Sequence, residues 1–190
     1  IASGAIVKMG TGGTISNLDG AAGGWGNRIA CIGGYNTRTI NDYDFDTGTA
    51  TAWTGRLSSD TTTGYWSMQL GSKVYFKIRG VNTGFVVDLA DRTVANYSPL
   101  LSLQTWSDPV RDDNGYWWFV LGTQTGTFTR ICKYDLATNT VLETITLSGD
   151  KPATASFTGK DLHMCWHKGA IYLFHSDVDG GEGLNLYRII

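Results

Sequence analysis

A β-rich unit of about 40 to 50 residues recurs along this chain and constrains its fold more than any other feature. The best-preserved copy is IACIGGYNTRTINDYDFDTGTATAW at 29–53, where an apolar run precedes two glycines, a Tyr/Asp-containing strand and a Thr-rich hairpin. Similar stretches occupy 74–97, 116–145 and 171–190, and the last of them stops early. Short apolar runs bounded by glycine and polar turns predict strands rather than helices.

Two residue types keep step with the repeat. Tryptophans recur 41, 51 and 49 positions apart, at Trp25, Trp66, Trp117 and Trp166. Aspartates at predicted turns recur 44 and 47 positions apart, at Asp44, Asp88 and Asp135. We expect the tryptophans to fill the spaces between neighbouring units, where a large ring buries most area, rather than to stack on a ligand. The apolar runs VYFKI, YWWFVL and IYLF are predicted to be the innermost strands of their units.

A period of this length with about four strands per unit predicts an all-β fold, a β-propeller of about four blades of four-stranded antiparallel sheet. The predicted blades of this single domain, 1–190, are 19–58, 59–107, 108–155 and 156–190. The fourth copy ends at LNLYRII without an outer strand, so an N-terminal strand within 1–18 is expected to close the last blade. The alternative is that the chain is part of a larger ring.

Two short motifs resemble those of known propeller families. Gly33 and Gly34 after an apolar strand, followed by Tyr43 and Trp53, resemble the kelch repeat of β-propellers. The stretch RDDNGYWW at 111–118 resembles the Asp-box hairpin of sialidase-type propellers. In that family the Asp box is an outer structural turn, so the resemblance implies no catalytic residue.

Composition excludes several classes of function. The formal net charge of −2 and a charged fraction of 17% provide no basic excess for nucleic acid. No apolar run is long enough to predict membrane insertion. The three cysteines, Cys31, Cys132 and Cys165, lie in apolar strands and are predicted to be small buried side chains, which favours folding in a reducing cytoplasm.

The polar residues around the apolar strands form the predicted ligand site. Corresponding loops of a propeller gather on one face, and binding residues are concentrated on loops. Seven side chains in these loops are therefore predicted to bind a ligand: Tyr35, Asn36, Arg38, Asn41, Asn82, Gln124 and Thr125.

Two stretches raise the question of a metal site. The glycine-rich stretch DVDGGEG places Asp177, Asp179 and Glu182 in an oxygen-dense turn that suits calcium, although a plain hairpin loop explains it equally well. His163 and His167 flank Cys165 on one face of a predicted strand, but ligands this close on a straight strand splay apart. No other cofactor is predicted.

The sequence contains no hydrolase elbow, P-loop, zinc-protease motif or dinucleotide fingerprint, so we expect no enzyme activity. The leading prediction is a propeller that presents loops to a protein partner within a larger assembly or homo-oligomer. Its Thr/Gly/Asn-rich composition resembles bacteriophage tail or fibre proteins, which favours a virion or extracellular surface. The alternatives are a lectin-like propeller that binds a surface glycan and a glycosidase-like enzyme using Asp112 with Asp113, or Asp177 with Glu182.

Overall fold

The computed structural model describes residues 21–32, 40–53, 65–78, 84–98, 108–122, 128–148, 162–177 and 183–189. These residues form fifteen β-strands in four antiparallel sheets and contain no helix. Consequently, this part of the chain has no helix long and apolar enough to cross a membrane. The four sheets are arranged as the blades of a four-bladed β-propeller, which confirms the predicted fold class.

Each sheet is a meander in which strand order follows chain order. The first sheet contains β1 (Ala21–Trp25), β2 (Arg28–Ile32), β3 (Ile40–Asp44) and β4 (Thr49–Trp53). The second contains β5 (Tyr65–Leu70), β6 (Lys73–Ile78), β7 (Gly84–Asp88) and β8 (Thr93–Tyr97). The third contains β9 (Val110–Arg111), β10 (Trp117–Gly122), β11 (Phe128–Asp135) and β12 (Thr140–Thr146). The fourth contains β13 (Leu162–His167), β14 (Ala170–Asp177) and β15 (Gly183–Ile189).

The fourth sheet has three strands among the described residues. The N-terminal strand predicted to complete it lies within 1–18, outside the described ranges. The predicted blade boundaries also fall at or beside residues outside these ranges, so they stay predictions.

Three apolar clusters join neighbouring sheets, and we call them seams. The first seam, between the first and second sheets, consists of Ala30, Ile40, Val74, Phe76, Phe85, Val87 and Leu89. The second seam, between the second and third sheets, consists of Trp66, Met68, Phe119, Leu121, Cys132, Tyr134 and Leu136. The third seam, between the third and fourth sheets, consists of Trp118, Val120, Ile131, Ile171 and Leu173. Alternate residues of one strand therefore pack against opposite neighbours, as the two-residue period of a strand requires.

The apolar runs are second strands and not innermost ones, so that prediction is wrong. VYFKI, YWWFVL and IYLF lie in β6, β10 and β14, whereas the first strands β1 and β5 contact each other, as do β9 and β13. A second strand is flanked on both sides within its sheet and faces a neighbouring sheet on each surface. Its apolar character reflects this burial rather than closeness to the axis.

The four repeat tryptophans are not structurally equivalent. Trp25 ends β1 and is 50% exposed, whereas Trp66 lies near the start of β5 and is 1% exposed. Trp117 opens β10, a second strand, and Trp166 lies near the end of β13; both pack at seams. The prediction that every repeat tryptophan fills an inter-blade space is therefore wrong for Trp25, because its strand ends there at a turn that leaves the ring half exposed.

The prediction of small buried cysteines is confirmed for Cys132 and only in part for Cys165. Cys132 is completely buried in the second seam, and burial raises the pKa of its thiol to about 11. Cys165 is half-buried, and both thiols are free. Cys31 lies in β2, but its side chain is outside the described part of the structure.

Candidate functional site

The two ends of the propeller differ in how the chain turns. The first strand joins the second, and the third joins the fourth, at one end, which we call the hairpin end. Its turns are 26–27, 45–48, 71–72, 89–92, 112–116, 136–139 and 168–169. The second strand of each sheet connects to the third at the opposite end, which we call the loop end. Its connections are 33–39, 79–83, 123–127 and 178–182.

Most of the predicted site residues belong to the loop end. Six of the seven predicted ligand-binding residues lie outside the described ranges: Tyr35, Asn36, Arg38, Asn82, Gln124 and Thr125. The structure places the seventh, Asn41, inside β3, where it is 6% exposed. Its Oδ1 atom has no hydrogen-bond partner among the described residues. Asn41 is thus a buried strand residue and not the exposed loop residue that was predicted.

The predicted calcium ligands are also mostly outside the described ranges. Asp179 and Glu182 lie outside them, and Asp177 ends β14 with an undescribed side chain. Among the described residues no group of three potential ligands is placed to hold a metal ion, which includes the strand carrying His163 and His167. Both imidazoles are exposed on that strand.

The aspartates that mark the repeat share one structural role at the hairpin end. Asp44, Asp88 and Asp135 each end the third strand of a sheet. In each case Oδ1 accepts a hydrogen bond from the backbone amide two residues on, at 2.9 to 3.0 Å. These carboxylates satisfy turn amides that the sheet leaves free, which is the reason for their recurrence.

Hydrogen bonds hold two of these carboxylates in the charged form. The amide of Thr47 is the main cause that lowers the pKa of Asp44. Burial raises the pKa of Asp88, but hydrogen bonds from Ser72 and Ala90 outweigh it, and the net shift is downward. Neither group is therefore tuned as a proton donor near neutral pH.

Asp112 has the same kind of structural role in the stretch that resembles an Asp box. Its Oδ1 atom accepts hydrogen bonds from the amides of Asn114 and Tyr116, at 3.0 and 2.9 Å. Its Oδ2 atom accepts the indole N–H of Trp118 at 2.9 Å and lies 3.7 Å from Lys133 Nζ. Both carboxylate oxygens are engaged in the turn, which leaves Asp112 unsuited to the glycosidase-like chemistry considered for it.

Lys77 is a lysine buried inside the ring of blades. Its side chain is fully buried at the second seam, where Nζ lies 5.3 Å from the centroid of the Trp66 ring. Burial lowers the pKa of its ammonium from 10.5 to about 8. Nearby, Tyr97 and Tyr134 share a hydroxyl hydrogen bond of 2.6 Å, and burial raises the pKa of both phenols. The Lys77 side chain thus lies inside the scaffold, at the packed seam between two sheets.

A second polar cluster lies where the first seam meets the hairpin end. We call it the Arg28 cluster; it consists of Arg28, Asp42, Asp44, Thr51 and Arg92. The guanidinium of Arg28 is paired with Asp42 and lies 3.0 Å from Asp44, all on the face of the first sheet that packs against the second.

The second sheet contributes Arg92 to this cluster. Its Nε lies 3.7 Å from Asp42 Oδ2, and its Nη2 donates to Thr51 Oγ1 at 3.3 Å. The Asp42 side chain is 0% exposed, whereas that of Arg92 is 51% exposed. The cluster therefore runs from a buried carboxylate to a guanidinium that faces solvent.

Two atoms of the Arg28 cluster are buried without a hydrogen-bond partner among the described residues: Arg28 Nε and Asp42 Oδ1. Such atoms are rare in folded proteins, and each costs about 1–3 kcal/mol when left unpaired. Trp25 lies beside them, because its register partner across the β1–β2 hairpin is Arg28. The Arg28 cluster and Trp25 together form a polar site with an exposed edge.

Sequence reasoning missed this site. The alternation in INDYD places Asp42 and Asp44 on the same strand face as the apolar Ile40, a signal that one face carries buried charge. Arg92 gives no such signal, because it lies in another repeat and in a turn rather than a strand. Its φ angle of +56° reflects that turn. Contacts of this kind depend on how the blades are placed and not on local pattern.

Comparison with known proteins supports the fold but no family. No family model matches the sequence, and no curated protein matches it. The computationally designed Ika4 protein has a similar structure, with a TM-score of 0.55 and 12% identity, over 98% of this chain and 100% of that chain. Hydrazine synthase of Kuenenia stuttgartiensis is similar with a TM-score of 0.53 and 12% identity, over 88% of this chain and 49% of that chain. At this identity the likeness concerns the fold alone.

Proposed function

We propose that this chain is a non-enzymatic interaction module that presents its loop end to a partner within a larger assembly. The observation that carries the proposal is topological: all four sheets connect their second strand to their third at the same end. In the sequence those four connections are polar segments, and the first of them contains Tyr35 and Arg38. Rigid blades that support clustered loops are a common way to build a binding surface.

The roles of four described carboxylates support binding rather than catalysis. Asp44, Asp88, Asp112 and Asp135 all accept backbone amides in turns of the hairpin end. A hydrolytic enzyme of the type considered needs two carboxyl groups that converge on a substrate. Carboxylates committed to turn amides serve the scaffold instead.

The assembly that we favour is a bacteriophage virion, with the chain as part of a tail or fibre. The Thr/Gly/Asn-rich, lysine-poor composition supports this reading, as do free cysteines within strands. The kelch-like pattern stays a resemblance of one repeat, and its two glycines, Gly33 and Gly34, lie outside the described ranges.

The experiment is a binding assay of labelled protein on intact bacterial cells. Arg38→Ala at the loop end should reduce saturable binding, and Lys168→Ala at the hairpin end should leave it unchanged. The two variants each remove one positive charge from a connection, so they differ in the end of the propeller rather than in charge. Equal binding by both variants and the wild type would contradict the proposed loop-end surface.

A second candidate function is carbohydrate binding, and the exposure of Trp25 favours it. An indole that is 50% exposed can stack on a sugar face, whereas the fully packed Trp66 cannot. An array of immobilised glycans tests this candidate directly. Saturable binding to one sugar class is expected, and a wild-type protein that binds none of them would contradict it.

A further inference from the structure

The half-exposed Trp25 and the unpaired atoms of the Arg28 cluster are adjacent features that the fold alone does not explain. Trp25 and Arg28 are register partners, so their side chains leave the same face of the first sheet. A ring exposed at this position contributes little to the seam. It does provide a flat apolar surface next to hydrogen-bonding groups, which is the composition of a small-molecule site.

We propose that Trp25 and the Arg28 cluster form a binding site for a neutral saccharide at the hairpin end of the first seam. The proposal rests on the carbohydrate-binding candidate above and assigns it to specific residues. Trp25 stacks on the apolar face of one sugar ring, and the Arg28 cluster binds the hydroxyl groups at its edge.

The unpaired atoms define the chemistry of the ligand. Arg28 Nε is a donor without an acceptor, and Asp42 Oδ1 is an acceptor without a donor among the described residues. A hydroxyl group can both donate and accept a hydrogen bond. Two neighbouring hydroxyls of a sugar therefore suit this pair of atoms, one accepting from Arg28 and the other donating to Asp42.

Charge favours a neutral sugar over an acidic one. The two guanidiniums of the cluster, on Arg28 and Arg92, are balanced by the two carboxylates of Asp42 and Asp44. The local charge is thus +2 − 2 = 0. An anionic ligand would gain from the arginines but would be repelled by a buried carboxylate whose second oxygen is unpaired.

In the proposed site the sugar enters beside Arg92, whose Nε contacts the other carboxylate oxygen of Asp42, Oδ2. Its contact with Asp42 spans 3.7 Å, longer than a hydrogen bond, and its bond to Thr51 is 3.3 Å. Its side chain is also 51% exposed. A guanidinium held this weakly moves aside at small cost, and it then adds a donor at the rim of the site.

The test is an array of neutral oligosaccharides that contain glucose, galactose, mannose or N-acetylglucosamine, followed by titration of the best ligand. Trp25→Ala should weaken binding about tenfold or more, since stacking on an indole is lost. Phe45→Ala is the matched control and should bind as the wild type does. Phe45 is an aromatic residue that is 37% exposed in the turn after β3, and its ring contacts Tyr43, which faces away from Asp42 and Asp44.

A second variant keeps the test decisive if Trp25→Ala folds poorly. Trp25→Phe retains a stacking ring, so it should bind within about threefold of the wild type while removing the change in indole fluorescence on titration. The proposed site would be overturned if both variants, Trp25→Phe and Trp25→Ala, bound the sugar as the wild type does and showed the same fluorescence change on titration.

The outcomes separate the site from the function. A wild-type protein that binds no neutral glycan overturns both the site and the carbohydrate-binding candidate. Glycan binding that survives Trp25→Ala but is lost in Tyr35→Ala overturns the site alone, because it places the sugar at the loop end.

Discussion

The first and second seams join equivalent pairs of blades by different means. The second seam is dominated by large rings, with the centroid of Trp66 lying 4.9 Å from that of Phe119. The first seam is apolar only in its middle. At its axis side, Ser67 and Gln69 of β5 bond to the backbone of β1, and at its hairpin end lies the Arg28 cluster.

This difference suggests that the second seam mainly stabilises the ring, whereas the first seam also presents polar groups. Burial of aromatic rings stabilises the second seam. This stabilisation depends on the apolar area buried and not on the orientation of particular groups. Polar contacts at the first seam add less net stability but leave groups that a ligand can use. We therefore expect substitutions to cost most at the second seam.

The largest loss of stability is expected for Phe119→Ala. Phe119 is completely buried and contacts Trp66 and Tyr134 at centroid distances of 4.9 and 5.9 Å. Removing the ring should lower the free energy of unfolding by about 3–5 kcal/mol in urea denaturation. Leu142→Ala, at a residue 47% exposed in the same sheet, is the control and should change it little.

Lys77→Met should have the next largest effect and should stabilise the protein. Burial lowers the pKa of Lys77 from 10.5 to about 8, so below pH 8 the fold retains a buried ammonium. The shift corresponds to about 3 kcal/mol at pH 7, which the substitution should recover at most in part.

The stability difference between Lys77→Met and the wild type should depend on pH. Between pH 8 and 10.5 the unfolded wild-type chain binds more protons at Lys77 than the folded chain does, so wild-type stability increases with pH. The advantage of Lys77→Met should shrink across this window. Lys73→Met, at an exposed residue of the same strand, is the control for removing a lysine charge. An advantage for Lys77→Met that is constant from pH 7 to 10 would show that Lys77 does not titrate as described.

Gly23→Ala tests the close approach at the first seam. A Cβ atom at this position would lie 2.6 and 2.7 Å from the two Cγ atoms of Val74, closer than such atoms approach. The expected cost is about 1–3 kcal/mol, measured as a shift of the urea midpoint. Adding Val74→Ala should relieve part of the clash; a double variant whose losses simply add would mean that the two residues do not meet.

Ser67→Ala should have the smallest effect. It removes the hydrogen bond of 2.8 Å from Ser67 Oγ to the carbonyl of Ala22, at an exposed position of the first seam. A loss of about 1 kcal/mol is expected in thermal or chemical unfolding. Ser98→Ala, at an exposed serine beyond β8, is the matched control. An equal loss of stability in both variants would show that the Ser67 hydrogen bond does not stabilise the first seam.

The blade architecture could be predicted from the sequence because each repeat has the same local pattern of apolar strands and polar turns. Asp44, Asp88 and Asp135 end equivalent strands, so their spacing reports the period of the fold. The tryptophans do not, since Trp25 and Trp66 lie at opposite ends of the first strands of their sheets. A side chain that packs between sheets can reach the same space from several strand positions. The spacing of tryptophans along the sequence therefore does not identify equivalent positions in the sheets.

The candidate site was less predictable than the fold. Asp42 carries a weak signal, because it alternates with Ile40 on a strand face that is otherwise apolar. Its contact with Arg92 joins two repeats through the placement of whole blades, which no sequence window reports. The exposure of Trp25 depends on where β1 ends relative to the neighbouring sheet.

Hydrogen exchange of two equivalent strands tests the central contrast most directly. β2 and β10 are both second strands with a hydrogen-bonded neighbour on each side. Ala30 of β2 packs at the first seam, whereas β10 sends Phe119 to the second seam and Val120 to the third. We predict that the amides of 28–32 exchange faster than those of 117–122 under native conditions. Equal protection, or slower exchange in 28–32, would contradict the division between a binding seam and the seams that hold the ring together.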